Sequence, residues 1–227
     1  MKTLFVTGSG TELGKTLVTA ALAHQLRRSG QSVRAIKPII SGYTAEEHPE
    51  SDTGILLDSL GEAHEPVAIE RVSPWRFAAP LSPDMAAARE NRSIDFAALV
   101  DFCADCAAGP EDTLLIEGVG GVMVPLTEDK TVLDWMAAVS APCIVVVGSY
   151  LGTISHTLTA VEAVRQRGIG IAGIVISESE ESPVPVPETA GAIARFAPGI
   201  PILAVPRLGG DTPWQDAPDL TSLLANA

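Results

Sequence analysis

Apolar residues along this chain fall into two rhythms that alternate from one end to the other. Short unbroken runs such as Leu4-Phe5-Val6 and Cys143-Ile144-Val145-Val146-Val147 read as strands, and longer stretches with apolar positions three or four apart read as helices. The pattern predicts strands at 2–7, 32–36, 113–116, 143–147, 169–176 and 202–205. It predicts helices at 15–28, 51–60, 80–90, 94–107, 132–139, 155–167 and 188–196, with a short one at 220–224. Residues 15–28 carry the stripe Leu17, Ala20, Ala21, Ala23 and Leu26, stopped by Ser29-Gly30, and Ser51 stands where an N-cap belongs. Strands with no polar alternation are buried on both faces, which implies a mostly parallel sheet flanked by helices on both sides. The acidic, then Pro-rich run at 177–187 reads as an exposed loop. No repeat is visible, and 1–227 is expected to be a single α/β domain.

The first strand runs straight into GSGTELGKT at 8–16, and a helix follows at once. A glycine-rich turn between strand and helix exposes backbone N–H groups to an anion, a Lys there reaches β- and γ-phosphates, and a Thr hydroxyl ligates Mg²⁺. Gly14, Lys15 and Thr16 carry that chemistry. Ser9 occupies the place of the first glycine in the usual G-x-x-x-x-G-K-[ST] spacing, so the loop is one residue longer if Gly8 opens it. The order strand, loop, helix points to a P-loop NTPase-like fold.

Composition narrows the partners. With 227 residues and 46% hydrophobic content, the chain can bury a sizeable core. Its net charge of −13, from 28 acidic and 15 basic residues, argues against nucleic acid or an anionic membrane as main partner. The phosphate loop and Mg²⁺ supply local positive potential for a nucleotide. No run has the length of a membrane span, and glycines interrupt the N-terminus too early for a signal peptide, so a cytoplasmic location is expected. Cys103 and Cys106 fall on the apolar spacing of 94–107 and read as helix packing.

Ligands of open α/β sheets gather at the carboxyl ends of strands. Besides the loop, three positions fall there: Lys37 after the second strand, Glu117 in IEGVGG, and the segment GSYLGTISHT at 148–157. Lys37, held extended by Pro38, suits the neutralisation of a transferring phosphoryl group. Glu117, a carboxylate on an apolar strand, needs a partner and with Thr16 and a further acid suits Mg²⁺. Asp52 is the further acid, or an ordinary helix-start Asp. Gly152–Ser155 opens a helix and suits either a carboxylate or simple capping; His156 reads as structural, and no His spacing suggests a metal site.

TGSGTELGKT at 7–16, IKPIISG at 36–42, Ser51-Asp52, FAAPLSP at 77–83, IEGVGG at 116–121 and LGTISHTLT at 151–159, in that order, resemble the dethiobiotin synthetase family up to about residue 176. The resemblance implies ATP- and Mg²⁺-dependent closure of a cyclic urea from 7,8-diaminononanoate (7,8-diaminopelargonate) and CO2 or bicarbonate, in biotin biosynthesis. An amine carbamate is phosphorylated by ATP, and the second amine then displaces phosphate. The resemblance assigns Thr11, Glu12, Leu13, Gly14, Lys15 and Thr16 to the nucleotide loop, with Lys15 on phosphates and Thr11 facing the carbamate. It assigns Lys37 a catalytic role and Ser41 a substrate contact. Mg²⁺ falls to Thr16, Asp52 and Glu117. Gly118, Val119, Gly120, Ser177, Pro206, Arg207 and Leu208 fall on the nucleotide side. Tyr150, Leu151, Gly152, Thr153 and Ser155 fall on the substrate carboxylate, contributed across a homodimer. Ser177 and Ser155 stand where the family often has Asn. Rival readings are a P-loop amidoligase, which ordinarily needs a further glutaminase domain, and a partitioning-type ATPase switch, whose extra early loop Lys is absent at Ser9 and Gly10.

Overall fold

The computed structural model describes residues 1–46 and 48–226. Six strands form one parallel sheet in the order β2-β5-β1-β6-β7-β8. They are β1 (Lys2–Gly8), β2 (Val33–Ile36), β5 (Thr113–Glu117), β6 (Cys143–Val147), β7 (Ile171–Ser177) and β8 (Ile202–Val205). A separate parallel pair joins β3 (Ile39–Ser41), which follows β2 directly, to β4 (Trp75–Phe77), which comes two helices later in the chain. The helices are α1 (Lys15–Arg28), α2 (Asp52–Leu60), α3 (Pro66–Val72), α4 (Pro83–Arg89), α5 (Phe96–Ala107), α6 (Val132–Val139), α7 (Thr153–Gln166) and α8 (Val186–Phe196).

Alternation along each strand splits the core in two. Phe5, Ile116, Cys143, Val145 and Ile174 face one cluster with Leu99, Trp135 and Val161; Leu4, Val6, Leu115, Ile144 and Val175 face the other with Leu22, Leu57 and Leu223. Both faces of the sheet are covered, as the unbroken apolar runs require. The three cysteines are buried and unpaired, and burial pushes the Cys103 and Cys143 thiols up to about 12. They are packing residues.

The strand and helix order agrees with the apolar rhythm, with corrections at boundaries. The helix expected at 80–90 begins only at Pro83, because a residue before proline is driven out of the α region and Ser82 is extended at ψ 146. The helix expected from 94 starts at Phe96, where the Asp95 side chain accepts from Ala98 N. The helix placed at 155–167 begins two residues earlier, at Thr153, after Gly152 with φ 99. The strand placed at 169–176 is β7, Ile171–Ser177, and the helix placed at 188–196 begins at Val186. The segment expected as a short helix at 220–224 is a 3-10 turn, Thr221–Asn226. The pair β3–β4 and α3 were not expected; each is too short to show a period.

Phe5 joins the sheet to the site. Its ring meets Trp135 edge to face at 4.8 Å, and a Cβ on Gly118 would come within 2.9 Å of it. Phe5→Ala is expected to destabilise the chain by ~3–5 kcal/mol in urea unfolding, since the void it leaves lies between the sheet and Trp135 of α6. A loss below ~1 kcal/mol contradicts that packing role.

Candidate active site

Parallel register sets three strand ends at one level. Ile36 pairs with Ile116, and Val6 pairs with Glu117, so the residues leaving β1, β2 and β5 converge. A cavity of about 500 Å³ opens there, lined by Thr11–Thr16, Lys37, Ser41, Asp52, Glu117, Val119 and Gly120 among others.

The loop after β1 is held from below. Ser9 N donates to Val146 O at 3.1 Å, and Val122 N donates to Gly8 O at 3.1 Å. A Cβ on Gly121 would meet Gly10 N and Ser9 O at 3.2 Å, so the IEGVGG turn is the floor on which the loop rests. Gly14 has φ 84, and a Cβ there would lie 2.7 Å from Ser177 Oγ; both facts demand glycine. Glu12 also takes a left-handed φ of 58. No acidic residue occupies the first turn of α1, which leaves its N-terminal N–H groups free of a competing carboxylate.

Four charged side chains meet in this pocket. Lys37, 3% exposed, places Nζ 2.6 Å from Glu117 Oε1, 2.9 Å from Asp52 Oδ2 and 2.9 Å from Gly118 O. Thr16 Oγ1 lies 2.8 Å from both Asp52 Oδ1 and Glu117 Oε1. Glu117 is fully buried, and its Oε2 has no hydrogen-bond partner in the described structure. Burial raises the Glu117 carboxyl, with Lys37 opposing and Asp52 adding to the rise. Asp52, with a side chain 36% exposed, is held below its ordinary value by Lys37, which outweighs the opposing effect of burial. Lys37 is held above its ordinary value because its two carboxylates outweigh burial. Lys15 has no carboxylate contact among the described residues; Nζ donates to Gly10 O at 2.9 Å, and burial, then Lys37, push it down to about 8.

The expected residues thus separate into three places. Thr11, Glu12, Leu13, Gly14, Lys15, Thr16, Lys37, Ser41, Asp52, Glu117, Val119 and Gly120 share the cavity. Glu117 is the last residue of β5 rather than the first after it. Asp52 is both the first residue of α2, behind the Ser51 cap, and a member of the cluster. Ser177 lies behind Gly14, and Glu178 carries the β8 exit by accepting from Arg207 N at 3.1 Å, so Ser177, Pro206, Arg207 and Leu208 sit outside the cavity. Tyr150, Leu151, Gly152, Thr153 and Ser155 do not line it in the single chain either; Leu151 is 86% exposed and Thr153 Oγ1 donates to Gly148 O at 2.7 Å. His156 Nδ1 pairs with the Tyr150 hydroxyl at 2.8 Å, in keeping with a structural role. Ile40, Pro80, Leu81, Ser82, Pro83 and Val124 line the cavity without having been expected there singly; only the block at 77–83 was marked.

A family model described as an AAA domain matches residues 2–216. A protein of Methylobacterium nodulans named ATP-dependent dethiobiotin synthetase BioD is 49% identical over 215 residues, 92% of this chain and 95% of that protein. Proteins of the same name from Acidiphilium cryptum and Caulobacter vibrioides are 48% and 44% identical, over 88% and 99% of this chain and 91% and 99% of theirs. The chain belongs to the dethiobiotin synthetase family. Among solved structures, MinD of Pyrococcus horikoshii complexed with Mg-ADP has a TM-score of 0.52 at 16% identity, covering 90% of this chain and 81% of that one. Apo McdA of Cyanthece has a TM-score of 0.55 at 14% identity, covering 91% and 86%. These two likenesses show a shared P-loop NTPase-like fold and nothing of activity.

Lys15 generates a pH expectation for this family member. A Lys at about 8 is charged below that pH and loses its attraction for phosphate above it; a bound phosphate raises the value and moves the loss upward. ADP affinity by calorimetry is expected to fall between pH 8 and 9.5, and Lys15→Met is expected to bind weakly with no such fall. A flat wild-type profile contradicts a phosphate role for Lys15.

Proposed function

We propose that this chain is an ATP-dependent dethiobiotin synthetase, with residues 1–227 acting as one synthetase domain. It closes a cyclic urea from 7,8-diaminononanoate and CO2 in biotin biosynthesis. The observation that carries the reading is the meeting of Lys15, Thr16, Lys37, Asp52 and Glu117 at one end of a single cavity, in a chain so similar over its whole length to proteins named for that activity.

The chemistry follows from those side chains. A carbamate oxygen of the carboxylated diamine attacks the γ-phosphorus, and ADP leaves with the bridging oxygen. The second amine then attacks the carbamate carbon, phosphate departs, and the amine gives up its proton. Positioning and charge neutralisation supply most of the acceleration in such transfers. Lys15 and the N–H groups of the loop hold the phosphates, and Lys37 steadies the charge between nucleotide and carbamate. Thr11 and Ser41 face the carbamate side; Ser41 Oγ is buried without a partner, a hydroxyl in need of one.

The residues also fit Mg²⁺. One Thr16 proton cannot serve two carboxylate oxygens at 2.8 Å, and Glu117 Oε2 is an orphaned acceptor, so the cluster lacks positive charge rather than donors of oxygen. Thr16, Asp52 and Glu117 would hold the ion, which neutralises phosphate charge when bound. A homodimer is part of the reading: exposed Leu151 and Ile154 flank the α7 N-terminus, and a second copy would bring that segment to a cavity it does not line in one chain. Ser177 and Pro206–Leu208 are taken to border the base. Among the described residues no helix is long and apolar enough to cross a membrane, and a cytoplasmic location fits the small charged substrates.

Mass spectrometry of reactions with diaminononanoate, bicarbonate, Mg²⁺ and ATP is expected to show dethiobiotin, with ADP release dependent on both diamine and bicarbonate. Diamine-independent hydrolysis stimulated by DNA or lipid would favour a switch ATPase instead. Lys37→Met is expected to lower turnover by ~10²-fold or more while ADP still binds. Near-normal turnover in that variant removes Lys37 from the reaction.

A further inference from the structure

The position of Lys37 is at odds with its work. A group meant to meet a phosphoryl oxygen is spent on three protein acceptors: Glu117 Oε1 at 2.6 Å, Asp52 Oδ2 at 2.9 Å and Gly118 O at 2.9 Å. An ammonium has three protons, so all of them are used. The same two carboxylates are the ones the proposed function gives to the metal, and the present inference rests on that reading.

We propose that the Lys37 ammonium is the resident counter-ion of the metal site, and that Lys37 and a divalent cation occupy the Asp52–Glu117 pair in turn, not together. Two anions at one hydroxyl, one of them with no exposure to water, cannot stand without a positive charge. One ammonium leaves the pair with a net negative charge, and the Glu117 Oε2 orphan marks what it fails to satisfy. A divalent ion matches the two carboxylates in charge and offers more coordination positions than an ammonium has protons. Its arrival makes Lys37 redundant there and repels it. Lys37 already lines the cavity, so the released ammonium stays in the pocket where the transferring group is expected. Lys15 stands outside the exchange: among the described residues its Nζ bonds Gly10 O and neither carboxylate, and it feels Lys37 as a like charge and Glu117 and Asp52 as opposite ones at longer range. The consequence is an ordered site, in which Lys37 becomes available to substrate only after the metal has come in.

Metal binding without nucleotide reads this directly. Mn²⁺ titration followed by the EPR signal of the free ion is expected to show at least tenfold tighter binding to Lys37→Met than to the native chain. Native-like circular dichroism of the variant is the condition for the comparison. Its Tm is expected to fall in chelator and to recover most of the loss with Mn²⁺, because the stranded carboxylates regain a counter-ion. Equal or weaker Mn²⁺ binding by folded Lys37→Met overturns the proposal. If that variant does not fold, the native protein serves: the side-chain ammonium NMR signal of Lys37, assigned by its absence in Lys37→Arg, is expected to shift on Mg²⁺ addition. An unmoved signal at Mg²⁺ saturation overturns the proposal equally. Asp52→Asn separates the two claims. If it abolishes Mn²⁺ binding while Lys37→Met fails to tighten it, only the exchange is wrong. If it leaves Mn²⁺ binding intact, the metal assignment itself is wrong and the exchange falls with it.

Discussion

Everything at this site turns on keeping two carboxylates together, one of them out of water. Asp52 and Glu117 share one hydroxyl at 2.8 Å, and Glu117 has no solvent contact. Such a pair is strongly unfavourable alone, and a buried ion pair survives only with good geometry and further hydrogen bonds. The sheet supplies both. Pairing of Ile36 with Ile116 fixes Lys37 beside Glu117, and pairing of Val6 with Glu117 fixes the loop above it. Packing of α2 on α1 brings Asp52 to Thr16, because each stands in the first turn of its helix.

The same arrangement explains how so acidic a chain can attract an anion. The net charge is −13, but two lysines are buried at the strand ends and the α1 N-terminus carries no acid. Local potential decides binding at this range, since distant surface charges are screened by salt. Lys15 bonds Gly10 O and no anion among the described residues. Burial and Lys37 push it down to about 8, and an arriving phosphate supplies an opposite charge and offsets the repulsion.

The sheet was legible because its strands are short, unbroken and apolar, and the four limits at Lys15–Arg28, Val132–Val139, Cys143–Val147 and Ile202–Val205 coincide with the expected ones. Lys15, Thr16, Lys37 and Glu117 stood out because glycine or proline punctuates the chain beside each at a strand end. Asp52 could not be separated from a capping acid by spacing, since it occupies the helix start in either role. The apolar half of the cavity was silent for a different reason. Ile40, Leu81 and Val124 look like core residues in sequence, and only their position against a void makes them lining. The resemblance gives the α7 N-terminus to the substrate only across a homodimer, and within one chain it does not reach the cavity.

The element that periodicity missed builds one wall of this site. A fold hosts many functions, so the sheet and the loop alone do not choose a substrate. Here the chain leaves β2 through Lys37-Pro38 and forms the small β3–β4 pair. Gly42 N then donates to Ala79 O at 3.2 Å and Tyr43 N to Phe77 O at 3.0 Å. Those bonds bind the strand carrying Ser41 to the segment that continues into Pro80, Leu81, Ser82 and Pro83, all of which line the cavity. A turn rich in proline has little conformational freedom to lose, which holds this wall up to Pro83, where α4 begins. The cavity of about 500 Å³ is of ordinary size for a small ligand, and Ile40 and Ser41 of β3 line it together with residues 80–83. Residues at the ends of β1, β2 and β5 thus line one part of the cavity, and β3 with the turn after β4 lines another.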